Sequence, residues 1–192
     1  NGKTAILNGK TSFNLGSHPT VLRFNGAFEV AGGNTFLCKS SGVLDGTISG
    51  NVIITGGTLN IRGENGTGSV IINGSYQQTG GEMNLFNNLS ETSITPVMLV
   101  MNGSFNLAHS KIRFNTNPLS TAAHQLFLNG PMITFGTSGI ITTETYANAP
   151  ALGALHYGRT GTSEIRFNDP NFLLQNTRQI ISQPTTLKLT QG

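Results

Sequence analysis

The stretch Ser69-Val70-Ile71-Ile72-Asn73-Gly74-Ser75-Tyr76-Gln77-Gln78-Thr79-Gly80-Gly81-Glu82-Met83-Asn84-Leu85 decides the fold. It runs from an alternating apolar strand into Asn-Gly, through a short strand carrying an aromatic residue, into Gly-Gly, and on to another short strand. The same order recurs on both sides. Upstream lie Val21-Leu22-Arg23-Phe24-Asn25-Gly26-Ala27-Phe28 with Gly32-Gly33, and Val43-Leu44-Asp45-Gly46-Thr47-Ile48 with Gly56-Gly57. Downstream lie Leu99-Val100-Met101-Asn102-Gly103-Ser104-Phe105 and Leu126-Phe127-Leu128-Asn129-Gly130-Pro131. Ala5-Ile6-Leu7-Asn8-Gly9 reads as an opening copy.

The spacing assigns the repeat to a class. Asn-Gly or Asp-Gly pairs beginning at 8, 25, 45, 73, 102 and 129 give steps of 17, 20, 28, 29 and 27 residues. Gly-Gly pairs beginning at 32, 56 and 80 give two steps of 24. Short strands and tight turns repeating in the twenties, with no helical periodicity, predict an all-β parallel β-solenoid with coils of roughly 20–29 residues. One coil cannot bury its inward side chains alone. Stacked about 4.8 Å apart, coils lend each strand two hydrogen-bonding neighbours. The predicted inward column is Leu22, Phe24, Val70, Ile72, Tyr76, Val100, Phe105, Leu126 and Leu128.

The predicted structural positions are turns and ladders. Asn25, Asn73, Asn102 and Asn129, with Asp45 substituting in one coil, are expected to stack as side-chain amides. Their partners Gly26, Gly46, Gly74, Gly103 and Gly130, together with Gly32, Gly56 and Gly80, are expected to turn the chain at positive φ. Asn60 and Asn84 suggest a second ladder. The rival reading makes each Asn-Gly a type I′ hairpin in an antiparallel sandwich. The fixed order of the Asn-Gly and Gly-Gly units speaks against it. Residues 1–145 read as repetitive coils, and 146–192 as a divergent continuation or junction of the same solenoid.

Composition narrows the function classes. Only 10% of residues are charged, Gly numbers 25, and 36% are hydrophobic, which departs from both an average globular enzyme and a disordered chain. The net charge of +3 comes from scattered Lys and Arg and builds no nucleic-acid surface. Cys38 is alone, so an internal disulfide and a Cys-based metal site are excluded, and its apolar context predicts a buried thiol. No apolar run is long enough for a membrane helix. Both ends read as cuts through a longer or processed polypeptide.

Little points to chemistry. No two of Glu29, Asp45, Glu64, Glu82, Glu91, Glu144, Glu164 and Asp169 lie close in sequence, whereas glycoside cleavage needs two carboxylates across one bond. His18, His109, His124 and His156 have no metal-ligand spacing, and His109 stands where a Gly-Gly is due. Calcium-binding turns would need an Asp per coil, an ice-binding face would need more than the lone Thr143-Glu144-Thr145, and Gly66-Thr67-Gly68 leads into no helix. No catalytic residue, cofactor or metal is assigned.

The unit Ser69 through Leu85, with the closing stretch Tyr157-Gly158-Arg159-Thr160-Gly161 through Arg178-Gln179-Ile180-Ile181, resembles the β-helical repeats of very large secreted surface proteins of Bacteroidota. The resemblance implies export, by the type 9 route in that family, a cell-surface or extracellular-filament location, and a structural or adhesive role without catalytic residues. The partners so implied are neighbouring solenoid segments or subunits end to end, and surface glycans or other cells. Two alternatives stand beside it: a carbohydrate-active β-helix enzyme and a trimeric phage-fibre β-helix.

Overall fold

The computed structural model describes residues 2–14, 16–143, 153–158, 161–182 and 185–191. Glu144, Thr145, residues 146–152, Arg159 and Thr160 lie outside the described residues. The chain winds three strands per coil. The first coil is β1 (Thr4–Ile6), β2 (Lys10–Ser12) and β3 (Thr20–Phe24), and the second is β4 (Phe28–Val30), β5 (Asn34–Cys38) and β6 (Leu44–Ile48). The third is β7 (Val52–Ile54), β8 (Thr58–Arg62) and β9 (Gly68–Ile72); the fourth is β10 (Tyr76–Gln78), β11 (Glu82–Phe86) and β12 (Val97–Met101). The fifth is β13 (Phe105–Leu107), β14 (Lys111–Asn115) and β15 (Gln125–Leu128); the sixth is β16 (Met132–Phe135), β17 (Ile140–Thr142) and β18 (Gly153–Tyr157). The last described strands are β19 (Gly161–Phe167), β20 (Leu173–Gln175), β21 (Thr177–Ile181) and β22 (Thr185–Gln191).

First, second and third strands of successive coils stack into sheets A, B and C, in the orders β1-β4-β7-β10-β13-β16-β19-β22, β2-β5-β8-β11-β14-β17-β20 and β3-β6-β9-β12-β15-β18-β21. Every described pairing is parallel, as in β9 against β12 with Ile72 opposite Met101. The architecture is a parallel β-solenoid, and Asn73-Gly74 is no hairpin tip. The strands after 153 extend the same three sheets. At the usual strand spacing, sheet A alone is roughly 34 Å long.

Alternation sorts the faces. In β9, Val70 and Ile72 point inward and are buried while Ile71 faces out. Tyr76 and Phe105 stack at 5.5 Å and 6° one coil apart inside sheet A, and Phe105 meets Phe135 edge-on at 6.1 Å. One expected inward residue is misplaced. Val100 pairs with Ile71 and Phe127 on the outer face, while Leu99 and Met101 fill the column. The core also holds a polar pair, because the Tyr76 hydroxyl donates to Gln78 Oε1. Gln78 Nε2 in turn donates to the Lys111 carbonyl at 3.1 Å, so this buried amide is not orphaned.

From the second coil to the fifth, coil length varies at one corner only. The turns from sheet A to sheet B (31–33, 55–57, 79–81, 108–110) and from sheet C to sheet A (25–27, 49–51, 73–75, 102–104) stay at one length. The B-to-C turns grow from 39–43 and 63–67 to 87–96 and 116–124. Extra residues are taken up at that corner, where Ser93 and His124 are buried, and the register of all three sheets stays intact.

Candidate functional site

Three places on the rod hold organised polar groups: the C-to-A turns, the B-to-C corner, and the outer faces. At the C-to-A turns the backbone N–H of Ser49, Asn73, Asn102 and Asn129 donates to the carbonyl of Phe24, Ile48, Ile72 and Met101 respectively, at 2.8–2.9 Å. This fixes which turn residues are equivalent. Asn102 Nδ2 donates to Asn73 Oδ1 at 3.0 Å and Asn129 Nδ2 to Asn102 Oδ1 at 3.3 Å, a side-chain ladder of three rungs. Asn25 stands in the same line two coils below Asn73, with Ser49 between them.

Asp45 and Gly46 are not at this turn. They lie inside β6, Asp45 opposite Val21 and Ser69, Gly46 opposite Leu22 and Val70. The physical reason is the pleat. Leu44 and Ile48 must both point inward, so Asp45 faces solvent, where Arg23 grips its carboxylate at 2.7 Å, and Gly46 faces the core. The turn is Ser49-Gly50, and steps from Asn25 become 24, 24, 29 and 27 residues. Asn8-Gly9 likewise belongs to an A-to-B turn, since Lys10 pairs with Asn34 and places Gly9 under Gly33.

The glycines of the C-to-A turn serve close approach instead of positive φ. A Cβ on Gly74 would lie 2.4 Å from the Gly50 carbonyl carbon, and one on Gly103 or Gly130 would strike the backbone of the glycine one coil below. Gly26 meets Gly2 in the same way. In the A-to-B turn, Gly32, Gly56 and Gly80 are also crowded by the backbone below, and the second glycine of each pair, such as Gly81 at φ +67°, takes the left-handed conformation. In the fifth coil the left-handed residue is His109 at φ 51°, one position earlier, in line with Gly80.

The B-to-C corner was not read from the sequence. Cys38, Arg62, Phe86 and Asn115 pair in one column and all are buried. Arg62 is buried to 0% exposure and its guanidinium donates to four backbone carbonyls: Ser40 and Gly42 at 2.7 Å, Thr67 at 3.0 Å and Glu64 at 3.2 Å. Burial lowers its pKa from the usual arginine value. The carbonyls come from two successive corners, so one side chain fastens both. Above it, Asn65 Nδ2 donates at 2.7 Å to Glu91 Oε1 and to the Thr92 carbonyl, tying the third coil to the long loop 87–96. His124 stacks on Phe86 at 6.0 Å, and its Nδ1 accepts the Val97 N–H at 3.1 Å. Burial holds this imidazole down at about 4, hence neutral, while its Nε2 has no hydrogen-bond partner among the described residues. The exact 24-residue steps from Cys38 to Arg62 to Phe86 were a legible signal.

Sheet B carries the second amide ladder on its outer face. Asn84 Nδ2 donates to Asn60 Oδ1 at 2.9 Å, and Asn60 Nδ2 to Asn34 Oδ1 at 2.6 Å. Four of the described carboxylates are held in ion pairs with cations. Glu29 pairs with Lys3, Asp45 with Arg23, Glu82 with Arg113 at 3.1 Å and Glu164 with Arg166 at 2.7 Å. Hydrogen bonds from Arg23 and Arg166 hold Asp45 and Glu164 below the usual carboxylate range. Asp169 is lowered by the backbone N–H groups of Asn171 and Ser138. Among the described residues no group of three or more His, Cys, Asp or Glu could hold a metal ion. His18 is exposed, and His156 stacks on Phe127 at 4.2 Å on the outside of sheet C. A groove of about 380 Å³ crosses sheet C beside the B-to-C corner, lined among others by Val43, Gly68, Ser69, Pro96 and Met98, with Asp45 its one carboxylate.

Comparison with protein-family models, with curated proteins and with solved structures returned no match.

Proposed function

We propose that this chain is a structural and adhesive β-solenoid segment of a secreted cell-surface or extracellular-filament protein, and that it is not an enzyme. The observation that carries this reading is where the specific side chains go. The amide ladders Asn73–Asn102–Asn129 and Asn34–Asn60–Asn84, the glycine column of the C-to-A turns and the Arg62 staple all join one coil to the next. A protein selected for a stiff, continuous rod needs such contacts in coil after coil. The ion pairs at Glu29, Asp45, Glu82 and Glu164 also weigh against a hydrolytic form of the carbohydrate-active alternative, which requires a proton-donating acid facing a second carboxylate. Surface location and export rest on the resemblance of the repeat, and neighbouring solenoid segments and surface glycans are the partners it supplies.

The test uses the purified chain on immobilised bacterial and host glycans, with the same polysaccharides assayed for new reducing ends and unsaturated products. Retention without product is expected. Product release would overturn the non-catalytic reading, and a trimeric mass in solution would favour the phage-fibre alternative.

A further inference from the structure

Six Asn-Gly pairs lie among the described residues, at Asn8, Asn25, Asn65, Asn73, Asn102 and Asn129. In any such pair the glycine nitrogen can attack the asparagine side-chain carbonyl, because glycine has no Cβ to block the approach. The reaction needs the asparagine amide free to swing over that nitrogen. The fold treats the six amides differently. Asn102 is held at both ends, donating to Asn73 and accepting from Asn129. Asn65 is held by three bonds, two donated to Glu91 and Thr92 and one accepted from the Ile94 N–H at 2.8 Å. Asn73 and Asn129 each have one ladder bond. Asn25 is exposed, and among the described residues its side chain has no partner. Asn8 is exposed too, and its one side-chain bond is with the attacking group itself: the Gly9 N–H donates to Asn8 Oδ1 at 2.7 Å.

We propose that Asn8 and Asn25 are sites of spontaneous isoaspartate formation, and that the coil-to-coil tethers shield Asn102 and Asn65 from the same reaction. At Asn8 the Gly9 nitrogen loses its proton to solvent base and bonds to Cγ. The Cγ–Nδ2 bond breaks as Nδ2 takes a proton back from solvent and leaves as ammonia, and a succinimide ring remains. Water then opens either carbonyl, giving aspartate or isoaspartate, with no oxidant or other co-reactant. Contact between nucleophile and carbonyl before reaction is what makes such intramolecular steps fast. Each hydrogen bond that must break first slows them, so two or three tethers are worth roughly tenfold or more. The isoaspartate carries an extra backbone atom into the turns at Asn8 and Asn25, whose counterparts in the next coils keep one length. This inference does not depend on what the rod binds.

The test is incubation of the folded chain at mildly alkaline pH, with peptide mapping that separates aspartate from isoaspartate at each site. The chain in denaturant supplies the untethered rate of every pair. Relative to that rate, Asn8 and Asn25 are expected to convert at least roughly tenfold faster than Asn102 and Asn65. N129A removes the rung above Asn102 and is expected to speed Asn102 alone. An equal rise at Asn65 would report general opening and overturn the assignment to the ladder. The proposal fails if folded Asn102 or Asn65 keeps pace with Asn8 and Asn25, or if the folded chain converts at neither Asn8 nor Asn25.

Discussion

Replacing Arg62 with Met tests the corner staple. Methionine keeps much of the aliphatic stem but removes every donor, leaving the carbonyls of Ser40, Gly42, Glu64 and Thr67 without the partner that now holds them. An orphaned buried acceptor costs about 1–3 kcal/mol, and the loops will relax and admit water to some of the four, so a net loss of roughly 3–5 kcal/mol is expected. Arg62→Lys retains the charge but presents its three donors from one point in place of a planar fork, and should lose about half as much. Arg23→Met is the reference: its ion pair with Asp45 is half exposed on both sides, and its removal should leave the urea midpoint close to the parent's. The measurement is urea unfolding followed by circular dichroism, with hydrogen exchange of the amides between Cys38 and Thr67 to localise the change. An R62M midpoint equal to that of R23M, with unchanged exchange at the corner, would refute the claim that a buried cation fastens successive coils.

Two further outcomes follow from the packing. Gly74→Ala places a methyl 2.4 Å from backbone atoms of Gly50 and should destabilise by about 1–3 kcal/mol, while Gly16→Ala, whose nearest atom is 3.8 Å away, should leave the urea midpoint unchanged. His124 makes stability fall in acid: its folded pKa of about 4 lies below the unfolded 6.5, so the unfolded chain takes up the proton first. About 3 kcal/mol should disappear between those two pH values, and His124→Gln should flatten that part of the pH–stability curve; a curve identical to the parent's would show that the imidazole is not the group responsible.

The legible part of this protein is the part set by local chemistry repeated many times. Alternating apolar strands separated by Asn-Gly and Gly-Gly specify short β-strands with tight turns, and their recurrence in fixed order requires like strands to stack on like. The parallel solenoid follows from those two facts. The equal Gly-Gly steps of 24 were a truer ruler than the Asn/Asp-Gly dipeptides, since they carry Asn25 to Ser49 and on to Asn73. Asp45-Gly46 has the composition of a turn, and no local preference distinguishes it from one.

Register was decided only by the assembled stack. Each strand's neighbours lie a full coil away along the chain, and a slip of one residue exchanges inner and outer faces, which is why Leu99 is buried and Val100 is not. The Arg62 corner also exists only in three dimensions, because its four acceptors are backbone carbonyls, which look alike in any sequence. Side-chain pattern determined the rod, and the meeting of distant backbones determined which residues hold it together.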